Sequence, residues 1–265
     1  MSAPSHTPTV RLRPIALPVE HGGWAFLGAP ILLGLWVAPS IAGVWLGLAA
    51  LGAFLARQPL KLTVGDRRRG RRYPRTRWAE RFVLAYGAVA LLAFGAAWLM
   101  TDRAFWPPLL LAIPPAAVQL RFDLMKQSRT LPAELGGAVA LAALAATIAM
   151  AGGWALGPAL LLWLLLVLQA VPAIIYVGAR LRLARGEPAR RSPTYVAHSV
   201  ALVVAVGLAW LGAAPWLATV AFALLVARAI IGLLPRSLAT PTPLVGVQEL
   251  GFSFLTVAAV ALGFG

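Results

Sequence analysis

Long apolar runs recur along the whole chain and predict its helices. An α-helix needs about 20 predominantly apolar residues to cross the roughly 30 Å hydrocarbon core of a bilayer. Prolines at or near the starts of four of the runs fit the first turn of a helix, where a missing N–H costs nothing. Nine helices are predicted, at 18–38, 40–57, 79–101, 104–121, 131–151, 156–178, 194–213, 214–235 and 243–264.

The connections between these runs differ in length on the two sides of the predicted bundle. Proline and glycine mark tight turns on one side, whereas longer loops at 58–78 and 179–193 lie on the other. We therefore predict an all-α fold, a polytopic membrane helix bundle of about nine transmembrane helices. Residues 1–17 are predicted to form an N-terminal tail, and residues 18–265 a single transmembrane helical domain.

The composition indicates a membrane protein and excludes several kinds of site. Hydrophobic residues make up 60% of the chain and charged residues 12%, with a mean hydropathy of +0.83. Soluble domains carry about 25% charged residues, so a water-soluble globule is excluded. The absence of cysteine excludes disulfides, thiolate catalysis and cysteine-ligated metals. The first 17 residues lack the apolar core of a cleaved signal peptide, so the first helix is expected to direct insertion.

Basic residues are concentrated on one side of the predicted membrane. Ten of the 23 lysines and arginines lie between Arg57 and Arg81, hereafter the basic stretch. With the N-terminus in the cytoplasm, 22 of the 23 face the cytoplasm and Arg103 alone lies outside. Because lysine and arginine are enriched in cytoplasmic loops, we predict a bacterial inner-membrane protein with a cytoplasmic N-terminus and an external C-terminus.

The basic stretch supports several interpretations. It is either a topology anchor attracted to anionic lipids, or a site where arginine forks bind phosphate or diphosphate on a lipid. Arg57, Gln58 and Lys61 lie at helical spacing where the second helix meets the loop, which favours the second interpretation. A binding site for a partner protein is a further alternative. Nucleic acid is not expected, because a short loop held at a bilayer usually neutralises lipid.

Two charged residues lie deeper in the predicted membrane than surface residues do. Glu249 follows Pro243 by six residues, and Arg228 precedes Pro235 by seven. At about 1.5 Å per residue, each lies roughly 10 Å inside its helix end. An unpaired ion at that depth is costly, so we predict a buried ion pair between Arg228 and Glu249. A purely architectural pair is an equal alternative to one that acts on a ligand.

Other polar residues lie near cytoplasmic helix ends and favour a chamber open to the cytoplasm over ordinary surface decoration. Glu20 and Glu134 fall in first turns, where a carboxylate complements the helix dipole. His21 follows Glu20 and precedes two glycines, which allow a helix or ligand to approach closely. Asp123, with Arg129 and Glu134 downstream, forms a second polar group.

Short motifs spread over residues 18–250 resemble those of the YwiC-like family of bacterial integral membrane proteins. ProValGluHisGlyGlyTrp starts the first helix, ArgGlnProLeu ends the second and AlaGluLeuGlyGly opens the fifth. TyrValGlyAlaArgLeuArg ends the sixth, and GlyValGlnGlu lies in the ninth. The resemblance implies a multi-pass membrane protein and adds little chemistry.

The arrangement is also distantly similar to that of UbiA-type intramembrane prenyltransferases. That resemblance implies nine helices, with a cap formed by the loops after the second and sixth. In those enzymes Asp-rich motifs in the two loops hold magnesium ions on an isoprenoid diphosphate. Here the corresponding loops contain only the carboxylates Asp66 and Glu187, so magnesium binding is suggested by the analogy alone. Arginine is the alternative group for binding the diphosphate.

These observations give a first hypothesis and two rivals. The protein binds an isoprenoid or other anionic-headgroup lipid in a cytoplasm-facing chamber and, if it is an enzyme, transfers a prenyl group. The rivals are a transporter or exporter of a small anion or lipid precursor, and a non-catalytic membrane scaffold. The phosphate-binding candidates are Arg57, Lys61, Asp66, Arg129, Arg180 and Arg182. The catalytic candidates are Glu20, His21, Asp123, Glu134 and Glu249.

Overall fold

The structure, a computed structural model, describes residues 11–17 and 21–264, without the side chains of His21 and Gly22. This part of the chain contains helices and no strand. The helices are α1 (Arg13–Ala16), α2 (His21–Val37), α3 (Ile41–Arg68), α4 (Pro74–Leu99), α5 (Pro107–Leu111), α6 (Ile113–Leu124), α7 (Leu131–Ala151), α8 (Leu156–Ala184), α9 (Ser192–Trp210), α10 (Trp216–Gly232) and α11 (Thr242–Phe264), with a 3-10 turn at Pro235–Ser237.

The all-helical class predicted from the apolar runs is confirmed. Six of the described helices (α3, α4, α7, α8, α9 and α11) are long and apolar enough to cross a membrane. The apolar segments Gly23–Val37 and Trp216–Gly232 are shorter. The fourth predicted segment is divided into α5 and α6, because each has two consecutive prolines in its first turn that cannot donate a hydrogen bond to a preceding turn. The count of nine crossings stays a prediction.

Both long loops predicted from the sequence are shorter in the structure, because the flanking helices extend into them. α3 continues to Arg68 and α4 begins at Pro74, which leaves a short connection where the loop 58–78 was expected. α8 likewise continues to Ala184 into the predicted loop 179–193. Arginine, lysine and leucine are good helix formers, so a charged segment need not leave the helix. The 28 residues of α3 span about 42 Å, which is more than the hydrocarbon core requires.

The helix α7 lies at the centre of the bundle and packs against α2, α6 and α8. Small residues line it, and Ala145, Ala146 and Ala149 are fully buried. Small side chains allow membrane helices to approach one another closely. At Gly34 of α2, for example, an added Cβ would lie 2.7 Å from the Cβ of Ile148. The core is therefore built by close helix contact more than by large side chains.

The chain order brings most of the charged helix ends to one end of the bundle, hereafter the basic end. α3, α6, α8 and α10 finish there, and α4, α7, α9 and α11 begin there. The opposite end carries aromatic pairs. The ring centroids of Trp154 and Phe264 are 5.5 Å apart, and those of Trp210 and Trp216 are 6.4 Å apart. Tryptophan is enriched at membrane–water interfaces, so the two ends of the bundle are chemically distinct.

The helices α3 and α4 form a hairpin that is held together by a backbone contact at Gly52. An added Cβ at this position would lie 2.8 Å from the amide nitrogen of Ala90 and 2.9 Å from the carbonyl oxygen of Tyr86. Both atoms belong to the helical backbone of α4, which cannot rotate aside as a side chain can. Gly52 therefore sets how closely the two helices pack.

We expect Gly52→Ala to lower the free energy of unfolding by about 1–3 kcal/mol, because the added methyl group overpacks the hairpin. Thermal melting in detergent, followed by tryptophan fluorescence, measures the change. Gly87→Ala on α4 is the matched control, since its added Cβ meets nothing within 4 Å. Equal melting temperatures for the two variants would contradict the close contact.

Candidate functional site

The tip of the α3–α4 hairpin is closed around Asp66, which is 2% exposed. Its carboxylate accepts hydrogen bonds from Nη2 of Arg75 at 2.9 Å and from Oγ1 of Thr76 at 2.8 Å. The Thr76 hydroxyl oxygen in turn accepts from the backbone N–H of Tyr73 at 3.0 Å. Asp66, a predicted phosphate-site residue, is therefore an internal acceptor that joins the end of α3 to the start of α4.

A second carboxylate on the hairpin, Glu80, forms an exposed pair with two arginines. Its Oε1 lies 2.9 Å from Nη2 of Arg67 and 3.3 Å from Nη2 of Arg72. Both arginine side chains are more than half exposed. Exposed ion pairs contribute little to stability. Glu80 thus partly offsets the positive charge of the hairpin without fixing its shape.

Next to these pairs lies a surface cleft of about 530 Å³, hereafter the arginine cleft. It is lined by Arg72, Tyr73, Pro74, Arg77, Trp78 and Arg81. The guanidinium carbon of Arg81 lies 4.9 Å from the ring centroid of Trp78, a cation–π contact. Arg77 has no hydrogen-bond or ion-pair partner within the described part of the chain. The cleft therefore combines two aromatic rings with guanidinium groups that the protein does not fully neutralise.

The cleft arginines belong to the basic stretch, but they are not among the site residues predicted from the sequence. A signal was present, because Arg77 and Arg81 are four residues apart and therefore share one face of a helix. Trp78 lies between them in sequence and Tyr73 precedes them. Aromatic residues interleaved with arginines at helical spacing indicate a binding surface more than a solvated run of charged residues.

Beside the hairpin, Asp123 of α6 binds two cations of α3, and the three residues form the Asp123 cluster. Arg57 binds both oxygens, with Nε 2.7 Å from Oδ2 and Nη2 3.0 Å from Oδ1. Nζ of Lys61 lies 3.5 Å from Oδ1 and donates to the Ser128 hydroxyl at 2.8 Å. The Asp123 side chain is 3% exposed. The cluster carries one net positive charge.

Burial acts to raise the pKa of Asp123, but the hydrogen bond from Arg57 and the charges of Arg57 and Lys61 outweigh it and hold the pKa below its usual value. The carboxylate is therefore ionised at neutral pH. The structure brings together Arg57 and Lys61, predicted to bind phosphate, with Asp123, predicted to act on protons. Their first role in this geometry is to neutralise one another.

A third group of charges, the buried arginine cluster, lies between α8, α9, α10 and α11. It contains Tyr176, Arg180, His198, Arg228 and Glu249. Nη2 of Arg228 contacts Oε2 of Glu249, the two residues whose matching depth predicted an ion pair. Arg180 donates to the Tyr176 hydroxyl at 2.5 Å and to the Ser237 carbonyl at 2.9 Å. The pair thus belongs to a larger group that also includes a second buried guanidinium.

The other predicted residues in the described part of the chain, Arg129, Glu134 and Arg182, are exposed. Arg182 is exposed and pairs with Glu187, with Nε 3.6 Å from Oε2. Arg129 and Glu134 are exposed at the α6–α7 connection and the start of α7. Glu20 and the side chain of His21 lie outside the described residues.

Magnesium would need several carboxylate or phosphate oxygens. Among the described residues, no group of three His, Cys, Asp or Glu side chains could hold a metal ion. Asp66 and Asp123 already accept hydrogen bonds from arginines. These side chains do not fit a magnesium site of the Asp-rich kind.

Comparison with known proteins gives one match. No curated protein and no solved structure matches the chain. A family model described as "YwiC-like protein" matches residues 17–149. The matched region contains α2, α3, α4 and most of α7, with the arginine cleft and the Asp123 cluster, and it covers half of the 265 residues. The buried arginine cluster lies beyond it. The chain belongs to the YwiC-like family.

Proposed function

We propose that the protein is an inner-membrane protein of about nine crossings that binds an anionic lipid headgroup at its basic end. The N-terminus and the basic end lie in the cytoplasm in this proposal, and the C-terminus lies outside. The observation that carries it is the arginine cleft, where Arg72, Arg77 and Arg81 surround a space beside Trp78. A phosphate or diphosphate headgroup offers oxygens that match the arginine fork.

Charge accounting on the hairpin supports an anionic ligand. The basic stretch holds ten basic residues and two carboxylates, Asp66 and Glu80. Asp66 is satisfied by Arg75 and Thr76, and Glu80 by Arg67 and Arg72. No carboxylate among the described residues contacts the other cleft arginines. The unneutralised charge is concentrated where the helices extend beyond the hydrocarbon core.

The aromatic residues of the cleft fit a position at the membrane surface. Tryptophan and tyrosine have an apolar body and a polar end, and they favour the level of the lipid headgroups. Tyr73, which precedes α4, and Trp78, on α4, line the cleft together with the arginines. A lipid can therefore place its phosphate against the guanidinium groups while its chain remains in the membrane.

The lipid class in this proposal is an isoprenoid or another lipid with an anionic headgroup. Prenyl transfer in a UbiA-like bundle is the enzymatic form of the proposal. Because the carboxylates near the hairpin do not fit magnesium, arginines would have to hold the diphosphate and stabilise its departure as a leaving group. Lipid binding is the function that the geometry supports best.

We expect the double variant Arg77→Gln/Arg81→Gln to weaken binding of phosphatidylglycerol at least tenfold. A hydrogen bond to a charged group contributes about 1.5–3 kcal/mol, and about 1.4 kcal/mol corresponds to a tenfold change in affinity. Native mass spectrometry of the protein in a neutral detergent, titrated with the lipid, measures the dissociation constant. Farnesyl diphosphate, titrated in the same way, tests the isoprenoid form of the proposal.

Arg121→Gln/Arg190→Gln is the matched control, because it removes two exposed arginines from other parts of the basic end. The control is expected to change the affinity less than threefold. Equal weakening by both double variants would show that only the total charge matters, as for a topology anchor. Equal binding of phosphatidylcholine by the unmodified protein would also contradict the proposal.

A further inference from the structure

Among the described residues, the buried arginine cluster contains two arginines and only one carboxylate. Arg180 is 4% exposed and Arg228 is 7% exposed. Arg228 pairs with Glu249, whereas the donors of Arg180 reach a phenol and a backbone carbonyl, which carry no charge. The cluster therefore keeps one net positive charge away from water, which is costly without a counter-ion.

The hydrogen bonds of Arg228 are also incomplete. All N–H groups of a guanidinium lie in its plane, and here Nη2 faces Glu249 while Nη1 lies 3.4 Å from Nε2 of His198. The Nδ1–H of His198 donates to the Thr194 carbonyl at 2.8 Å, which leaves Nε2 as an acceptor. The Nε of Arg228 is buried and has no partner among the described residues.

A second unsatisfied group lies on the adjoining turn of α9. The Thr194 hydroxyl is buried without a hydrogen-bond partner among the described residues. The backbone carbonyl of Thr194 accepts the hydrogen bond from His198, and His198 in turn faces Arg228. Buried polar groups are normally hydrogen-bonded. Two orphan groups in one charged cluster point to a ligand that bears acceptor oxygens.

We propose that the buried arginine cluster binds one compact oxyanion with a single negative charge, a carboxylate or a phosphodiester. Such an anion would neutralise the cluster and offer acceptors to the Nε of Arg228 and to Thr194. Access is from the side of Glu249, whose side chain remains 17% exposed. The rings of Tyr176 and Phe252 lie 4.2 and 5.3 Å from the guanidinium carbon of Arg228 and limit the entry of water.

Glu249 acts in this site as a tethered counter-ion. It holds Arg228 in place, but it also reduces the positive charge that attracts the ligand. Arg180 has the opposite effect, because it adds a charge that no carboxylate offsets. Removing either charge should therefore change the anion affinity in opposite directions, whereas a purely architectural role predicts no saturable anion binding.

The test is a titration of the protein in neutral detergent with sodium dimethyl phosphate and, separately, with sodium acetate at constant ionic strength. A ligand that binds the folded state raises the melting temperature by mass action, and tryptophan fluorescence gives an apparent dissociation constant. Phosphatidylglycerol, titrated in the same way, distinguishes a lipid phosphodiester from a free anion. The lipid arm is read in the Arg77→Gln/Arg81→Gln background, so that binding in the arginine cleft does not contribute.

We expect Arg180→Gln to weaken binding at least tenfold and Glu249→Gln to tighten it at least threefold. Arg182→Gln is the control, because it removes an exposed charge from the same helix, and it should stay within twofold. Thr194→Val should raise the melting temperature of the unliganded protein, since an unsatisfied hydroxyl is removed, and weaken binding about threefold. This variant keeps the test decisive if Arg180→Gln does not fold.

The absence of a saturable response to every probe would overturn the proposal. So would changes of affinity in the same direction for Arg180→Gln and Glu249→Gln. The site lies on α8–α11 and the arginine cleft on α4, so this inference does not rest on the proposed function. Loss of lipid binding in the cleft variants, with the response to dimethyl phosphate unchanged, would separate the two sites.

Discussion

Replacing Asp123 by asparagine is expected to lower the free energy of unfolding by about 3 kcal/mol. Removing one partner of a buried ion pair leaves the other charge uncompensated, which typically costs about 3–5 kcal/mol. Arg57 and Lys61 both lose their contact with the Asp123 carboxylate in this variant. Their side chains keep about a quarter of their exposure, so the lower end of the range applies.

Thermal or denaturant unfolding in detergent measures this loss, with Arg121→Gln as the control on the same helix. Because the pKa of Asp123 lies below its unfolded value of 3.8, the stabilisation is fully present above that pH. It is lost as the pH falls through the folded-state pKa. The difference in stability between the unmodified protein and Asp123→Asn should therefore shrink in acid. A variant as stable as the control at neutral pH would show that the Asp123 cluster does not join α3 to α6.

The second large effect is expected for Asp66→Asn, with a loss of about 2 kcal/mol in the free energy of unfolding. The carboxylate accepts from both Arg75 and Thr76, and hydrogen bonds to charged groups contribute about 1.5–3 kcal/mol. Asparagine retains one acceptor oxygen, and the Arg75 side chain is 43% exposed, so part of the interaction survives or is replaced by water.

Glu80→Gln is the matched control for Asp66→Asn, because it removes the same charge from the same hairpin. Its partners Arg67 and Arg72 are exposed, so the loss of stability should be much smaller than for Asp66→Asn. Proteolysis of the α3–α4 connection gives a second measurement, since the tip should open more often in Asp66→Asn. Equal sensitivity of the two variants would mean that burial of Asp66 has no role in closing the tip.

The helices could be predicted from the sequence where hydropathy alone sets their limits. α7 follows the predicted segment 131–151 at both ends, because Pro132 opens it and a glycine pair closes it. The charged extensions of α3 and α8 cannot be predicted in this way, because the chain becomes polar before either helix ends. Polarity marks the membrane surface, whereas a helix ends where its hydrogen bonding or backbone geometry fails.

Contacts within the candidate sites could be predicted only where two charged residues lie at the same depth in neighbouring helices. Arg228 and Glu249 lie at matching depth on consecutive helices, so a contact between them could be inferred without the fold. The contact between Arg57 and Asp123 joins residues 66 positions apart and depends on how α6 packs beside α3. No periodic pattern in the sequence indicates that these two residues are in contact. The same holds for the two orphan groups near His198, which become visible only when every neighbour is placed.

The closure of the hairpin tip has a consequence for how the protein is made. Asp66 bonds to residues nine and ten positions later, so the tip is complete once the chain has been synthesised to Thr76 and needs no later helix. Contacts this local form early, because little chain entropy is lost in closing them. The Asp123 cluster and the buried arginine cluster must wait for helices that the ribosome has not yet produced. The first part of the basic end to close thus lies in the stretch that carries ten of the 23 basic residues, and the later helices pack against a hairpin that is already formed.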